Sequence, residues 1–204
     1  MTDRKPHHHG NLRAALIDAG IALVAEGGPQ ALSIRQAAAR AGVSHAAPAH
    51  HFPTLAHLRG AIVAEGVRRF TQAMEAEIAA GAPTPQGRIV GSGRGYQRFA
   101  RENPGLFHLM WGGNECADDP AIDAELREAA GAAFAVLRRV CAPLAPGEAG
   151  AEGNELFVWA LAHGLASLTL AGFATELVPG SAEARFEKIL PALRFAQASA
   201  GTQD

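Results

Sequence analysis

Residues 32–52 read LSIRQAAARAGVSHAAPAHHF, and this stretch decides the fold. Ser33 is placed to N-cap a first short helix through Gln36 to Arg40. Leu32, Ile34, Ala37 and Ala38 supply its buried side. Gly42 provides the positive φ that ends this helix at little cost. Val43 is the apolar plug between two helices. Ser44 caps the second, which is expected to run to about His50, and Phe52 packs back beneath the pair. Small residues dominate because two short helices must cross closely. Two such helices joined by a tight turn form the unit that sets a helix into the major groove of DNA.

On that reading Ser44, His45 and His50 are the outward positions of the second helix, able to reach bases or phosphates. Ala46 and Ala47 suit thymine methyl groups. Arg35 and Gln36 on the preceding helix are phosphate candidates, and His51 and Thr54 join the expected DNA contacts. Pro48 is unusual, because it deletes an amide whose partner would be the carbonyl of Ser44.

The order of residues here resembles the DNA-binding domain of the TetR family of transcriptional repressors. Ile17, Ala19, Leu23, Glu26 and Gly27 match an apolar helix and its Gly-rich exit. Leu32, Ser33, Arg35, Ala38, Ala41, Gly42, Val43, Ser44, His51, Phe52 and Leu58 then follow in the family's order. Ala49 stands where the family carries an aromatic, and Leu55 where it carries a lysine. The two phosphate contacts made there in the family do not carry over. The opening RKPHHHGNLR is similar to the YHHGNLR opening of one TetR subgroup. Trp159, His163 and Gly164 match that subgroup's Trp-x-x-x-His-Gly signature.

The chain has 204 residues and a formal charge of −2, so it is not a basic nucleic-acid binder as a whole. The bias is local. Residues 1–55 carry Arg4, Lys5, Arg13, Arg35 and Arg40 against Asp3, Asp18 and Glu26, a net of +2. Seven of the nine histidines fall within residues 1–57. Binding through this part therefore leans on geometry and amide donors as well as charge. His7, His8 and His9, with Arg4 and Lys5, suit an arm in the minor groove; adjacent histidines on a flexible arm cannot close a four-ligand metal site alone. The polar N-terminus and two cysteines, Cys116 and Cys141, point to a reducing cytoplasm with free thiols. Leu156–Thr175 has no charge and a bilayer's length, yet it is Ala- and Gly-rich and centred on His163. It reads as a helix buried between subunits rather than in a membrane.

The rest of the chain reads as helices, giving an all-α protein of about nine. Residues 1–55 form a helix-turn-helix DNA-binding domain and 56–204 an effector-binding and dimerisation domain. Helices are expected over 11–26, 54–80, 85–102, 104–111, 123–140, 155–177 and 181–199. Pro143–Gly153 is expected as a flexible connector, and Pro191 as a bend in the last helix. Gly91-Ser92-Gly93-Arg94-Gly95 lacks P-loop spacing and reads as a loosened helix start.

Trp159 and His163 share a helical face at i,i+4. With Phe99, Phe107, Met110, Trp111, Phe134 and Phe173 they can line an apolar effector cavity with one polar handle. The other reading of His163 is plain core, satisfied by a hydrogen bond. Ala160, Gly164, Ser167 and Ala171 form a stripe of small residues for a close helix crossing, with Phe186, Ile189, Leu190 and Leu193 on the last helix. In the TetR family the last two helices pair into a four-helix dimer interface, which implies a homodimer on a palindromic operator. The expected function is a repressor released from double-stranded DNA by a small apolar ligand, with no cofactor, metal or membrane partner. The alternatives are a metal or redox sensor using His108, Cys116 and Cys141, and an enzyme. Ser167 and His163 have no elbow motif beside them, which leaves the enzyme reading without a site.

Overall fold

Helix α1 (Leu12–Gly27) opens the described chain and is apolar over more than one stripe. Leu16, Ile17, Ala19, Gly20, Ile21 and Val24 are buried, while Ala15 is exposed. The computed structural model describes residues 12–112, 120–145, 150–174 and 178–189. Every regular element among them is helical. A short 3-10 turn, Pro29–Ala31, leads into α2 (Ile34–Arg40). Ser33 caps α2 as expected, its side chain accepting from the Gln36 amide at 3.2 Å. Gly42 turns the chain with φ 70°, in the left-handed region that glycine adopts without strain.

The recognition segment departs from expectation. It is a 3-10 turn, Ala47–His50, and not an α-helix from Ser44. Pro48 is the cause. An α-helix would bond its amide to the Ser44 carbonyl, and proline has no N–H to give. That carbonyl instead accepts from Ala47 at 3.1 Å, and the Ala46 carbonyl from Ala49 at 3.3 Å. These are i→i+3 bonds, which wind the backbone more tightly. Ser44 lies before the turn and makes no side-chain cap; the capping position is Ala46.

The other helices are α3 (Leu55–Ala80), α4 (Pro85–Glu102), α5 (Pro104–Trp111), α6 (Pro120–Cys141), α7 (Gly150–Leu170) and α8 (Ala182–Ile189). Thr84 caps α4, accepting from the Gly87 amide at 3.0 Å, with Pro85 at the first position where no donor is needed. α7 begins at Gly150, inside the stretch expected as a connector, and its helical run stops by Leu170 rather than Leu177. Gly172, at φ 85°, follows that stop. The Pro191 bend, Leu190, Leu193, the His7–His9 arm and Cys116 lie outside the described residues. No helix among the described residues is long and apolar enough to cross a membrane.

The chain divides into two compact units. One comprises the described residues up to Gly66 with Gly105–Glu128; the other comprises Val67–Pro104 and the described residues from Ala129 on. Leu16, Val24, Ala37, Phe52, Leu58 and Ile62 form the centre of the first. Phe70, Met74, Tyr96, Phe99, Val140, Val158 and Phe186 form that of the second.

The glycines of α4 overturn the reading of a loosened helix start. They lie inside an 18-residue helix and are packing slots. A Cβ on Gly91 would come within 2.8 Å of the Glu77 carbonyl oxygen, and one on Gly95 within 2.5 Å of Met74 Cα. The backbones of α3 and α4 therefore touch along the Gly91–Gly95 face. Gly93 leaves room on another face for Phe186, whose ring would meet a Cβ there at 2.0 Å.

Candidate nucleic-acid interface and effector site

The expected DNA contacts lie in the first unit, and all of them are exposed: Arg35, Gln36, Ser44, His45, Ala46, His50, His51 and Thr54. What holds them is a short scaffold. Pro48 and Phe52 are almost completely buried on the inner side of the same turn. The Arg13 guanidinium sits 5.5 Å from the centre of the Phe52 ring and donates to Glu125 Oε1 at 2.6 Å. One α1 side chain thus braces the end of the recognition segment and holds α6. Arg40 forks onto both carboxylate oxygens of Glu26, one at 2.7 Å. This hydrogen bonding holds the Glu26 carboxyl below its usual range and engages Arg40 with a neighbour. The Thr54 hydroxyl is 2.7 Å from His57 Nδ1, which fixes it at the start of α3.

The expected effector residues fall in both units. Phe107, Met110 and Trp111 belong to the first; Phe107 and Met110 are buried, and Trp111 is partly exposed against Phe107 at 6.3 Å. Phe99, Phe134, Trp159 and His163 belong to the second. Phe134 packs edge-on against Trp159 at 5.5 Å. Phe99 meets Phe70 at 5.5 Å, and Phe70 meets Tyr96 at 4.7 Å. Phe173 is 62% exposed and lines no interior.

His163 hydrogen-bonds to Ser167 and to Tyr96, the chain's single tyrosine. The Tyr96 hydroxyl lies 2.8 Å from His163 Nδ1, and the Trp159 indole hydrogen-bonds to the same hydroxyl. Indole N–H only donates. The Tyr96 oxygen therefore accepts from Trp159, and it shares one more hydrogen bond with His163 Nδ1, donating or accepting according to the imidazole tautomer. His163 Nε2 lies 3.4 Å from Ser167 Oγ. Burial pushes the Tyr96 phenol up and holds His163 below the usual histidine value, so both are neutral. Beside Tyr96, Gln97 is buried and donates through Nε2 to the Ala162 carbonyl at 2.8 Å. Tyr96 and Gln97 escaped sequence reading because they follow a polar, Gly-rich run; the tyrosine's uniqueness was the available signal.

Around the small-residue stripe, Ala160 and Ala171 are exposed, and a Cβ on Gly164 would meet nothing within 4 Å. Leu156 and Leu168 are exposed on the same helix. Phe186, one of the expected dimer residues, is fully buried within its own unit, in the slot beside Gly93. Cys141 is a buried free thiol pushed up to about 11 by desolvation, a poor nucleophile at neutral pH. Among the described residues no group of three or more His, Cys, Asp or Glu is placed to hold a metal.

Two family models match the sequence. "Bacterial regulatory proteins, tetR family" covers residues 16–62, and "Tetracyclin repressor-like, C-terminal domain" covers residues 89–193, more than half of the chain. The chain belongs to the TetR family. It is a DNA-binding transcriptional regulator with an N-terminal helix-turn-helix domain and a C-terminal domain of the family's type. Operator binding, dimerisation and binding of small-molecule effectors are typical of TetR regulators. Among solved structures, a protein of unknown function from Rhodococcus sp. RHA1 is 27% identical, with a TM-score of 0.76 over 93% of this chain and 96% of that one. A TetR family transcription regulator from Marinobacter aquaeolei VT8 is 19% identical, with a TM-score of 0.64 over 92% and 97%. The transcriptional regulator FadR from Bacillus subtilis, solved with stearoyl-CoA, is 14% identical, with a TM-score of 0.62 over 87% and 95%. The last two likenesses are of fold. No curated protein sequence matches this one.

Proposed function

We propose that this TetR regulator is a homodimeric, cytoplasmic repressor that a small, largely apolar ligand releases from a palindromic operator. The exposed row Arg35, Gln36, Ser44, His45, Ala46, His50, His51 and Thr54 reads the DNA. The observation that carries this is the turn itself: its polar side chains all face solvent while Pro48 and Phe52 anchor it from below. Phe99, Phe134, Trp159 and His163 belong to the ligand site, supported by the hydrogen-bonded Trp159–Tyr96–His163 chain beside the buried Phe70 and Phe99 rings. Ala160, Gly164, Ser167 and Ala171, with Leu156 and Leu168, face the partner subunit, supported by their open, apolar surface. Release follows if the ligand favours a spacing of the two recognition turns that no longer matches successive major grooves, about 34–36 Å apart.

The test is selection from a random duplex library, followed by mobility shifts over a salt series and a screen of apolar compounds against the selected duplex. A palindromic duplex, affinity falling steeply with salt and release by some compounds are expected. Failure to select any duplex overturns DNA reading by these residues. Release by none of the compounds overturns the ligand arm.

A further inference from the structure

Among the described residues three polar side chains are buried: Ser92, Gln97 and Arg185. All belong to the second unit. The Ser92 hydroxyl donates to the Ile89 carbonyl at 2.8 Å, and Arg185 Nε donates to the Val178 carbonyl at 2.6 Å. Gln97 differs. It is 1% exposed, its Nε2 is used on Ala162, and its Oε1 has no partner. Turning the amide over would set Oε1 against the Ala162 carbonyl, oxygen to oxygen, so the orientation is fixed by its neighbour. The other unpartnered atom of this unit, Thr169 Oγ1, belongs to a residue that still reaches solvent.

A buried acceptor left open is costly, and a folded chain keeps one where something else completes it. Gln97 is well placed for that. Its hydrogen bond reaches α7 at Ala162, one residue from His163, and Tyr96 precedes it on α4. Resting on the ligand reading above, we propose that Gln97 anchors the effector, its Oε1 accepting a hydrogen bond from a hydroxyl or N–H group of an uncharged, mostly apolar ligand. The chemistry sets the class. A carboxylate would present lone pairs to a lone pair. An ammonium ion would have to leave water for a side chain that is itself 1% exposed, a cost that a neutral donor does not carry. A neutral donor satisfies the amide and leaves the rest of the ligand to apolar contact.

The probes are 1-decanol, its methyl ether and decanoate, three chains that differ at the head. A Trp111→Phe background leaves Trp159 as the sole indole of a chain with two, so its fluorescence reports on this unit. The unsubstituted site should bind 1-decanol about 3–10-fold more tightly than the ether, the worth of one neutral hydrogen bond, and decanoate most weakly. Gln97→Met should bind alcohol and ether alike, with ether affinity unchanged. Equal binding of alcohol and ether, or a preference that survives Gln97→Met, overturns the anchor while an apolar site in this unit stands. Binding by none of the three overturns the anchor and the ligand reading together. The alcohol–ether comparison needs no substitution of Gln97 and decides the matter even if Gln97→Met does not fold.

Discussion

The Tyr96 hydroxyl and His163 Nδ1 share a hydrogen bond across 2.8 Å, and the same hydroxyl oxygen accepts from the Trp159 indole. One hydroxyl thus orders two residues of α7. Tyr96→Phe strands an indole N–H and an imidazole nitrogen in a part-buried place. It should lower unfolding free energy by about 1–3 kcal/mol, read from urea denaturation. A loss below the error of the method would mean that water replaces the hydroxyl.

His163→Phe keeps bulk and removes the imidazole. If His163 touches the ligand, DNA binding persists and release by the effector is blunted. If it serves only the core, release is normal and the melting curve alone changes. An induction assay beside a melt separates the two.

Burial lowers His163 in the fold, so the folded state favours the neutral ring. The stability this gives is present above the unfolded value of about 6.5 and is lost as pH falls through the lower folded value. Protonation would place a charge and a second N–H donor in a part-buried site. Denaturation midpoints should therefore fall from pH 7 toward pH 5, and His163→Phe should flatten that slope. An unchanged slope in the variant would assign it to other groups.

His45→Ala with His50→Ala should weaken specific DNA binding by roughly 2–6 kcal/mol, counting about 1–3 per base contact. Non-specific binding should change much less. Titrations of the selected duplex and a scrambled one make the comparison.

Two glycines should behave oppositely. Gly93→Ala puts a methyl into the Phe186 ring, and about 1–3 kcal/mol of overpacking outweighs the helix propensity gained. Gly164→Leu enters open space in the single chain and should leave its fold intact. In the proposed dimer it overpacks a close crossing, weakening assembly by tenfold or more. Sedimentation with a thermal melt distinguishes these, and an unchanged dimer would move the interface off this stripe.

Arg13→Ala should cost more than Arg13→Lys, because Arg13 has both a carboxylate and the Phe52 ring as partners and lysine keeps the charge for both. The ion pair is part-exposed and contributes no more than about 1 kcal/mol, with a comparable amount from the ring contact. Equal losses in urea denaturation would show that the planar guanidinium, and not its charge, makes both contacts.

Most helix limits were legible because punctuation sets them. Ser33, Gly42, Thr84-Pro85 and Asn103-Pro104 each carry a local reason for a start or a stop, and α4 begins and ends, and α5 begins, where those residues put them. What local reasoning missed depends on neighbours distant in sequence. Gly91, Gly93 and Gly95 weaken an isolated helix, and only the approach of α3 and Phe186 turns them into contacts. Gln97 sits in a run that reads as surface, and only the α4–α7 packing buries it. Pro48 is odd in the sequence, but the tightening it causes lies in the Ser44 and Ala46 carbonyls, which take donors three residues on. The exposure of Arg35, Gln36, Ser44, His45 and His50 is readable because the motif itself fixes which residues face out.

The seam at Gly91 and Gly95 has a mechanical consequence. Where main chain lies on main chain, no side-chain rotamer stands between the helices to absorb a shove. α3 and α4 are keyed together there like cogs, and small displacements elsewhere in the unit must pass around this joint rather than through it. Amide protons along Ala73–Ile78 and Gly91–Gly95 should be the last to exchange with deuterium, and a ligand should leave that rank order untouched.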